Sequence, residues 1–334
     1  LVGSEMCIRD RGYQDIQFEK NVKFLVTGGA GFIGSNLCEA LLNKGHFVRC
    51  LDNFSIGSKK NIACFLGKPG FELQEGDITD YKVCERACQG IDYVSHQAAW
   101  GSVPRSIEMP SYYAAINILG TVNMMEAARK SKTVRRFLYA SSSSVYGDEP
   151  NLPKKEGREG DPLSPYALTK KVDELYGKIY NDLYDLETIG FRYFNVFGRK
   201  QNPEGEYAAV IPKFIKSVLN GNSPTIYGDG EQTRDFTYIE NVIEANLKGF
   251  CAPKEATGRA YNIACGNSTS INHLLQEINK LLDKKTQPVY KEGRKGDVRH
   301  GNADITDAKI MIGYTPEWNF DSGLKSAIEW YKNN

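Results

Sequence analysis

The sequence predicts an α/β fold: a doubly wound parallel sheet with helices on both faces, joined to a smaller, interleaved α/β C-terminal substrate domain. Three observations carry this. Short apolar runs alternate with helical periodicity up to about residue 194, the pattern of strand–helix–strand units whose parallel sheet is covered on both sides. A glycine-rich turn stands where the first strand runs into the first helix. After Asn195 the alternation gives way to shorter, irregular segments, yet the apolar run at 260–264 still reads as a sheet member. The two domains are therefore expected to interleave.

The elements follow in order. Residues 22–27 read as the first strand, running into Gly28-Gly29-Ala30-Gly31-Phe32-Ile33-Gly34. A helix is expected over 35–44, stopping at Gly45, and a strand over 47–51, ending at Asp52. Strands are expected again near 71–76, 93–98, 136–141 and 187–194. Helices near 80–89, 106–130 and 165–184 lie between them. Beyond Asn195 come a helix near 207–220, a strand and turn over 225–230, a strand near 234–239 and a helix over 240–250. A strand at 260–265, a helix near 270–283, a basic loop at 291–302 and helices over 305–312 and 321–332 complete the reading. Nucleotide binding is assigned to 21–194 with parts of 236–265, and the substrate domain to 195–334. Residues 1–20 are set apart as an N-terminal extension. Its first eleven residues have no periodicity and no signal-peptide layout and read as extraneous, and 13–20 read as a short preceding helix.

Composition narrows the function classes. The chain has 334 residues, enough for a large core and two lobes. With 42 basic and 41 acidic residues the net charge is +1, which gives no electrostatic case for nucleic acid or a membrane surface. No apolar run approaches the roughly 20 residues that span a bilayer. The eight cysteines are scattered, with no Cys-x-x-Cys pair, and suit a reducing cytoplasm. The four histidines are far apart, so no metal site is expected.

The glycine turn has the spacing Gly28-x-x-Gly31-x-x-Gly34. Such a turn lets backbone approach a pyrophosphate, whose charge the following helix N-terminus favours. Asp52 lies 18 residues after Gly34, at the end of the next strand. A carboxylate there accepts from a ribose 2′-OH and repels a 2′-phosphate, so NAD is expected rather than NADP. Phe32 and Ile33 within the turn, and Asn53 beside Asp52, are counted with it. Asp77 and Ile78, ending the third strand, are placed near the adenine. Gln97, Ala98 and Ala99 end the fourth strand, where small residues let a cofactor lie close.

The catalytic candidate is the stretch 141–170. Pro165 suits the first turn of a helix. Tyr166 and Lys170 then stand one turn apart on the same face. An ammonium beside a phenol favours the phenolate and brings its pKa down from about 10. A hydroxyl from the serine run 141–144 would hold a substrate oxygen beside it, making a proton-transfer device. Alone, Tyr-x-x-x-Lys is more often a packed tyrosine on a lysine stem. The nucleotide loop is what shifts the balance.

Together, Thr27-Gly28-x-x-Gly31-x-x-Gly34, Asp52, the serine run and Tyr166-x-x-x-Lys170 resemble the extended short-chain dehydrogenase/reductase family, a Rossmann fold, over about 22–330. The closer resemblance is to nucleotide-sugar 4-epimerases, nearest to bacterial UDP-N-acetylglucosamine 4-epimerases. It rests on His96-Gln97-Ala98-Ala99-Trp100-Gly101-Ser102-Val103-Pro104-Arg105-Ser106, Arg192-Tyr193-Phe194-Asn195-Val196-Phe197-Gly198-Arg199, Tyr207-Ala208-Ala209-Val210-Ile211-Pro212 and Gly296-Asp297-Val298-Arg299-His300. The family's dehydratases carry Thr-Asp-Glu where this chain has Ser142-Ser143-Ser144, so redox-neutral epimerisation is the better match.

The resemblance implies roles. Ser142, Tyr166 and Lys170 would be catalytic, with Tyr166 and Lys170 also touching the cofactor. Ser143 and Ser144 would contact substrate, as would Gly101, Ser102, Ala209 and Val210. Asn195 would hold the sugar or diphosphate, Arg234 and Arg294 the diphosphate, Asp297 the uridine ribose and Tyr227 the uracil. Gly301 stands where a bulky tyrosine closes some family pockets to a 2-acetamido group, and with Gly101 and Ala209 it leaves room. The implied reaction is NAD-dependent C4 epimerisation of UDP-N-acetylglucosamine and UDP-N-acetylgalactosamine, and of the plain UDP-hexoses, through a 4-keto sugar. A UDP-uronic acid epimerase or decarboxylase is the alternative, with Arg105 or Arg199 beside the carboxylate. An inactive nucleotide-binding scaffold is the alternative of another class; such proteins typically lose the Tyr or Lys that this chain keeps. The resemblance also implies a homodimer through helices near 112–130 and 166–184.

Overall fold

The computed structural model describes residues 13–204, 208–293 and 299–334. Seven parallel strands form its central sheet. They are β1 (Lys23–Thr27), β2 (Phe47–Asp52), β3 (Phe71–Glu75), β4 (Tyr93–His96), β5 (Arg136–Ser142), β6 (Glu187–Tyr193) and β7 (Arg259–Ile263). Their order is β7-β6-β5-β4-β1-β2-β3. The chain reverses direction across the sheet at β1, which pairs with β2 on one side and β4 on the other. In such sheets ligands sit outside the strand ends at that reversal. β7 comes from the C-terminal part of the chain, so the two parts interleave as the apolar run at 260–264 suggests.

Alternation along β1 builds both faces of the core. Phe24 and Val26 pack in one cluster with Leu37, Leu41 and Val242; Leu25 packs in the other with Val94, Met124 and Phe137. The first layer brings helix α1 (Phe32–Asn43), and the second brings α2 (Tyr81–Cys88) and α3 (Gly120–Ser131). Helix α4 (Pro165–Tyr184) follows β5, then α5 (Val210–Leu219) and α6 (Ile239–Cys251), before α7 (Ile271–Leu282), α8 (Thr306–Ile312) and α9 (Phe320–Lys332).

Several expectations need correction. Residues 13–20 are not a helix. Phe18 stacks edge-on against Phe24 and His46, and Lys44 Nζ donates to the carbonyls of Gln14 and Ile16, so the segment lies extended on the core. The helix expected over 106–130 is broken. Pro110 excludes the helical region at Met109 (φ −130°, ψ 55°). A wider π turn, Ala114–Leu119, precedes α3. The strand expected near 234–239 is two short pieces, Thr233–Arg234 and Thr237–Tyr238, because Asp235 between them turns inward. Helix α1 starts three residues earlier than expected, capped by the extended Gly31.

Candidate functional site

The site grows from the C-terminal ends of β1, β2 and β4. A groove of about 340 Å³ opens there, lined by the glycine turn and by the residues that follow each strand. Gly28, Gly31, Phe32, Ile33, Gly34, Asp52, Asn53, Asp77, Ile78, Gln97, Ala98 and Ala99 all line it, as does Gly101. At two positions glycine is a requirement. Gly28 has φ +63°, and a Cβ there would lie 2.8 Å from the Ala98 nitrogen. A Cβ on Gly34 would lie 2.2 Å from the Gly28 carbonyl oxygen.

The two acids at the strand ends are braced. Asp52 accepts the Ala30 N–H on one oxygen (2.9 Å) and the Phe54 N–H on the other (2.8 Å), while burial pushes its carboxyl above the ordinary value. Burial also works to raise Asp77, but hydrogen bonds from Thr79 and Asn53 outweigh it and hold that carboxyl below the ordinary value. Gln97 donates to Ser95 Oγ at 2.9 Å, and its Oε1 is a buried acceptor with no hydrogen-bond partner among the described residues. A backbone cradle that excludes Cβ atoms, an acid at the second strand end and an orphaned amide oxygen on the lining fit a dinucleotide.

The catalytic candidates stand at the edge of this groove. Ser164 caps α4 by accepting the Ala167 N–H, and Pro165 takes the first helical position. Ser106 Oγ accepts the Tyr166 N–H at 3.1 Å. The phenol oxygen of Tyr166 lies 3.9 Å from where a Cβ on Gly101 would be, so the tyrosine faces the groove end. Lys170 is buried. It donates to the Ala140 carbonyl at 2.8 Å and to Asp173 Oδ2 at 3.1 Å, which leaves one N–H of its three. Ser142 Oγ accepts the Ser144 N–H at the start of the turn Ser143–Tyr146, leaving its own hydrogen to donate. Ser143 is half-buried there, and Ser144 Oγ is buried with no partner among the described residues.

The sugar-side candidates form a second group. Asn195 (φ +36°) donates to the Asp235 carbonyl. Arg234 donates to the Thr233 carbonyl, and Gly301 N–H donates to the same oxygen. Tyr227 lies in a short strand paired with 289–291. Asp235, next to Arg234, ties this segment to two loops: its carboxylate accepts the N–H groups of Cys265, Gly266 and Ala303. Ser102 caps the turn Val103–Glu108, Ala209 precedes α5, and Val210 begins that helix and packs on the core. Arg294 and Asp297 lie outside the described residues.

Four residues escape the sequence reading. Asn117, in the π turn, clamps Trp100 through both its N–H and its carbonyl, and also donates to Thr169 Oγ1. Asp173 pairs with Lys170, and its i,i+3 spacing was a readable signal. Thr121 and Asp235 carry no local signal, because their partners are distant in sequence. Among the described residues no group of three or more His, Cys, Asp or Glu could hold a metal, and no helix is long and apolar enough to cross a membrane.

Comparison with known proteins agrees with this geometry. Residues 24–264 match the NAD dependent epimerase/dehydratase family. The UDP-glucose 4-epimerase of Mycolicibacterium smegmatis is 34% identical, covering 93% of this chain and 99% of the relative. The UDP-glucuronate 4-epimerase of Thermodesulfobacterium geofontis is also 34% identical, covering 93% and 96%. The solved UDP-N-acetylglucosamine 4-epimerase of Methanobrevibacter ruminantium, in complex with UDP-N-acetylmuramic acid, superposes with a TM-score of 0.87 at 37% identity, covering 94% and 99%. The braced glycine cradle and the Tyr166–Lys170 helix are thus set in a frame shared along nearly the whole chain, and the protein belongs to the NAD-dependent epimerase/dehydratase family, extended short-chain dehydrogenase/reductases, among its nucleotide-sugar 4-epimerases.

Proposed function

We propose that this chain inverts C4 of UDP-N-acetylglucosamine and UDP-N-acetylgalactosamine, acting also on the plain UDP-hexoses. The observation that carries the reading is the lack of a side chain at Gly101, next to the Tyr166 phenol, and at Gly301, next to the Thr233 carbonyl. A Cβ on Gly101 would come no closer than 3.9 Å to the phenol oxygen, and one on Gly301 would meet nothing nearer than 3.9 Å. A 2-acetamido group needs such room, and the similar structure from Methanobrevibacter ruminantium is of a UDP-N-acetylglucosamine 4-epimerase in complex with UDP-N-acetylmuramic acid.

Bound NAD supplies a two-electron acceptor and donor for the sugar carbon. Tyr166, as phenolate, takes the 4′-OH proton. Ser142 donates to that oxygen and orients it. Lys170, its charge one helical turn from the tyrosine, would donate its remaining N–H to the nicotinamide ribose. The 4-keto sugar turns about its diphosphate link and receives hydrogen on the other face, with Tyr166 returning the proton. The 195–334 part, apart from β7, anchors the UDP group through Asn195, Arg234 and Tyr227, joined by Arg294 and Asp297, so that the intermediate turns without leaving.

The uronic acid alternative is less well supported. It needs a cation for the sugar carboxylate, and Arg199 is already paired with Glu39 and Glu240 in a largely buried cluster. Arg105 lies over the Trp100 ring, 5.0 Å from its centroid. Incubation with UDP-N-acetylglucosamine, UDP-glucose and UDP-glucuronate, read by NMR of the anomeric protons, tests the assignment. Turnover of the uronate alone would overturn it.

A homodimer belongs to the same reading. Leu168, Leu175, Ile179 and Leu183 form one exposed stripe on α4, and Tyr112 and Leu119 are exposed on the neighbouring helical segments. They face outward and do not cover the sheet. A second copy placing the same face opposite would bury them as a four-helix seam. Sedimentation of the wild-type chain as a monomer would overturn this part. The described cysteines are all free, which suits the reducing cytoplasm.

A further inference from the structure

Leading to Lys170 of the catalytic pair runs a line of four buried polar groups that the reaction scheme does not use. It starts at Thr27, the last residue of β1 before the glycine turn. Thr27 Oγ1 accepts the Ala98 N–H at 3.2 Å and lies 2.8 Å from His96 Nδ1. The other ring nitrogen, Nε2, lies 3.1 Å from Thr121 Oγ1 on α3. The Thr121 hydroxyl faces the carboxylate of Asp173. No hydrogen bond of good geometry joins the two: Asp173 Oδ1 is a buried acceptor without a partner among the described residues, and Thr121 is the donor placed to satisfy it. Asp173 Oδ2 then receives Lys170. Thr27, His96, Thr121, Asp173 and Lys170 are each 2% exposed or less.

Proton counting gives the line one direction. Burial pushes the Asp173 carboxyl up to about 6, so at pH 7 and above it is a carboxylate, which can only accept, and Thr121 donates to it. Thr121 Oγ1 must then receive from His96, which puts a hydrogen on Nε2. His96 Nδ1 is left as an acceptor and takes the Thr27 hydroxyl hydrogen, while Thr27 Oγ1 accepts Ala98 N–H. The opposite direction would leave the buried Thr27 hydroxyl without an acceptor among the described residues and Asp173 Oδ1 without a donor, Oδ2 alone being served by Lys170. The charge state agrees: burial, with Lys170 adding to it, pushes His96 down to about 3, so the ring is neutral.

We propose that His96 is a positioning residue: a neutral imidazole carrying its hydrogen on Nε2, it passes a one-way line of hydrogen bonds from the nucleotide loop to Asp173 and thereby fixes Lys170. The line ties the end of β1, where the cofactor cradle begins, to the ammonium that serves Tyr166. Both halves of the site are held to one reference. The inference rests on the proposed epimerase reading for Lys170's role, and not for the tautomer of His96.

Two measurements on the full chain test it. The first is ¹⁵N NMR of histidine-labelled wild-type protein, with His96 assigned by the signal that His96→Gln removes. A neutral ring protonated on Nε2 throughout pH 7–8 is expected; an imidazolium or an Nδ1–H ring in that range overturns the line. The second is turnover of UDP-N-acetylglucosamine by a variant series. His96→Gln keeps a donor near the Nε2 position and should hold kcat within about threefold. His96→Leu keeps the volume without the nitrogens, and His96→Asn keeps only the Thr27 end. Both should lose roughly 10- to 100-fold in kcat, with KM little changed, since a misplacement of about 1 Å costs that much. Thr121→Val should match His96→Leu, and the double variant should be no worse than either. A Leu variant as active as wild type, or full additivity in the double variant, overturns the proposal. If wild type turns over no UDP-sugar, the epimerase reading fails, and the NMR result alone then decides the tautomer.

Discussion

The two sides of the site are held by different physics. On the cofactor side the constraint is backbone against backbone. The glycine turn touches the chain after β4, and strand ends fixed by parallel pairing set every distance. On the proposed sugar side the strands are two or three residues long, and hydrogen bonds to side chains do the holding. Asp235 is the clearest case, pinning 265–266 and 303 to the segment that carries Arg234. A cradle built from backbone suits a cofactor that stays. A wall built from loops suits a sugar that, in the proposed reaction, turns over within it.

The sides meet at Tyr166, and the largest effect is expected there. Tyr166→Phe removes the proposed proton carrier and leaves both walls intact. A loss of about 10²- to 10⁴-fold in kcat is expected, with the melting temperature unchanged. Normal turnover would dissolve the meeting point, and with it the reading of both sides.

A pair of glycine substitutions breaks the comparison more directly. Gly34→Ala places a Cβ 2.2 Å from the Gly28 carbonyl oxygen and 2.8 Å from Gly29 Cα, so backbone must move. A destabilisation of about 3 kcal/mol or more is expected in urea unfolding, together with loss of bound dinucleotide absorbance. Gly301→Ala meets nothing nearer than 3.9 Å and should leave stability within about 0.5 kcal/mol. Equal costs at the two sites would remove the distinction between a rigid and an adaptable wall.

This difference also decides how much the sequence discloses. Where glycine is demanded by a steric limit, as at Gly28 and Gly34, the residue type records the geometry and its spacing can be read directly. The strand that ends at Asp52 and the helix that starts at Pro165 announce themselves by local patterns. Asp235 has no such mark. Its partners lie at least 30 residues away, and its effect is to break a strand that the apolar pattern suggested was continuous. Asn117 is hidden for the same reason: its π turn and its clamp on Trp100 depend on tertiary contacts. Asp173 lay within reach, since i and i+3 share a helix face.

Asp235 itself offers a pH signature. Burial holds its carboxyl at about 6, above the ordinary 3.8, despite the backbone N–H groups that oppose the shift. The folded state therefore binds this proton more tightly than the unfolded chain does. Asp235 favours folding most below pH 4, and that contribution is lost as pH rises through 6. Asp235→Asn should flatten the part of the stability change between pH 4 and 6 that belongs to this group. At pH 7 it should cost about 2 kcal/mol, because an amide NH₂ turned toward backbone N–H groups cannot accept from them. Thermal melts across that pH range give both numbers. An unchanged slope would mean that Asp235 is not the clasp of the sugar wall.

The smallest expected effect discriminates best between substrates. Gly301→Tyr puts a ring into the space beside the proposed 2-acetamido group and leaves the cofactor cradle untouched. Because pocket-filling of this kind is worth about 1–3 kcal/mol, kcat/KM for UDP-N-acetylglucosamine should fall by roughly tenfold or more, while that for UDP-glucose stays within about threefold. The ratio of the two constants is the quantity to measure, since a general disturbance of the wall lowers both together. A parallel fall would show that Gly301 shapes the loop and not the pocket. A fall confined to the acetylated sugar would mean that the adaptable side of the site selects the substrate while the rigid side keeps the cofactor.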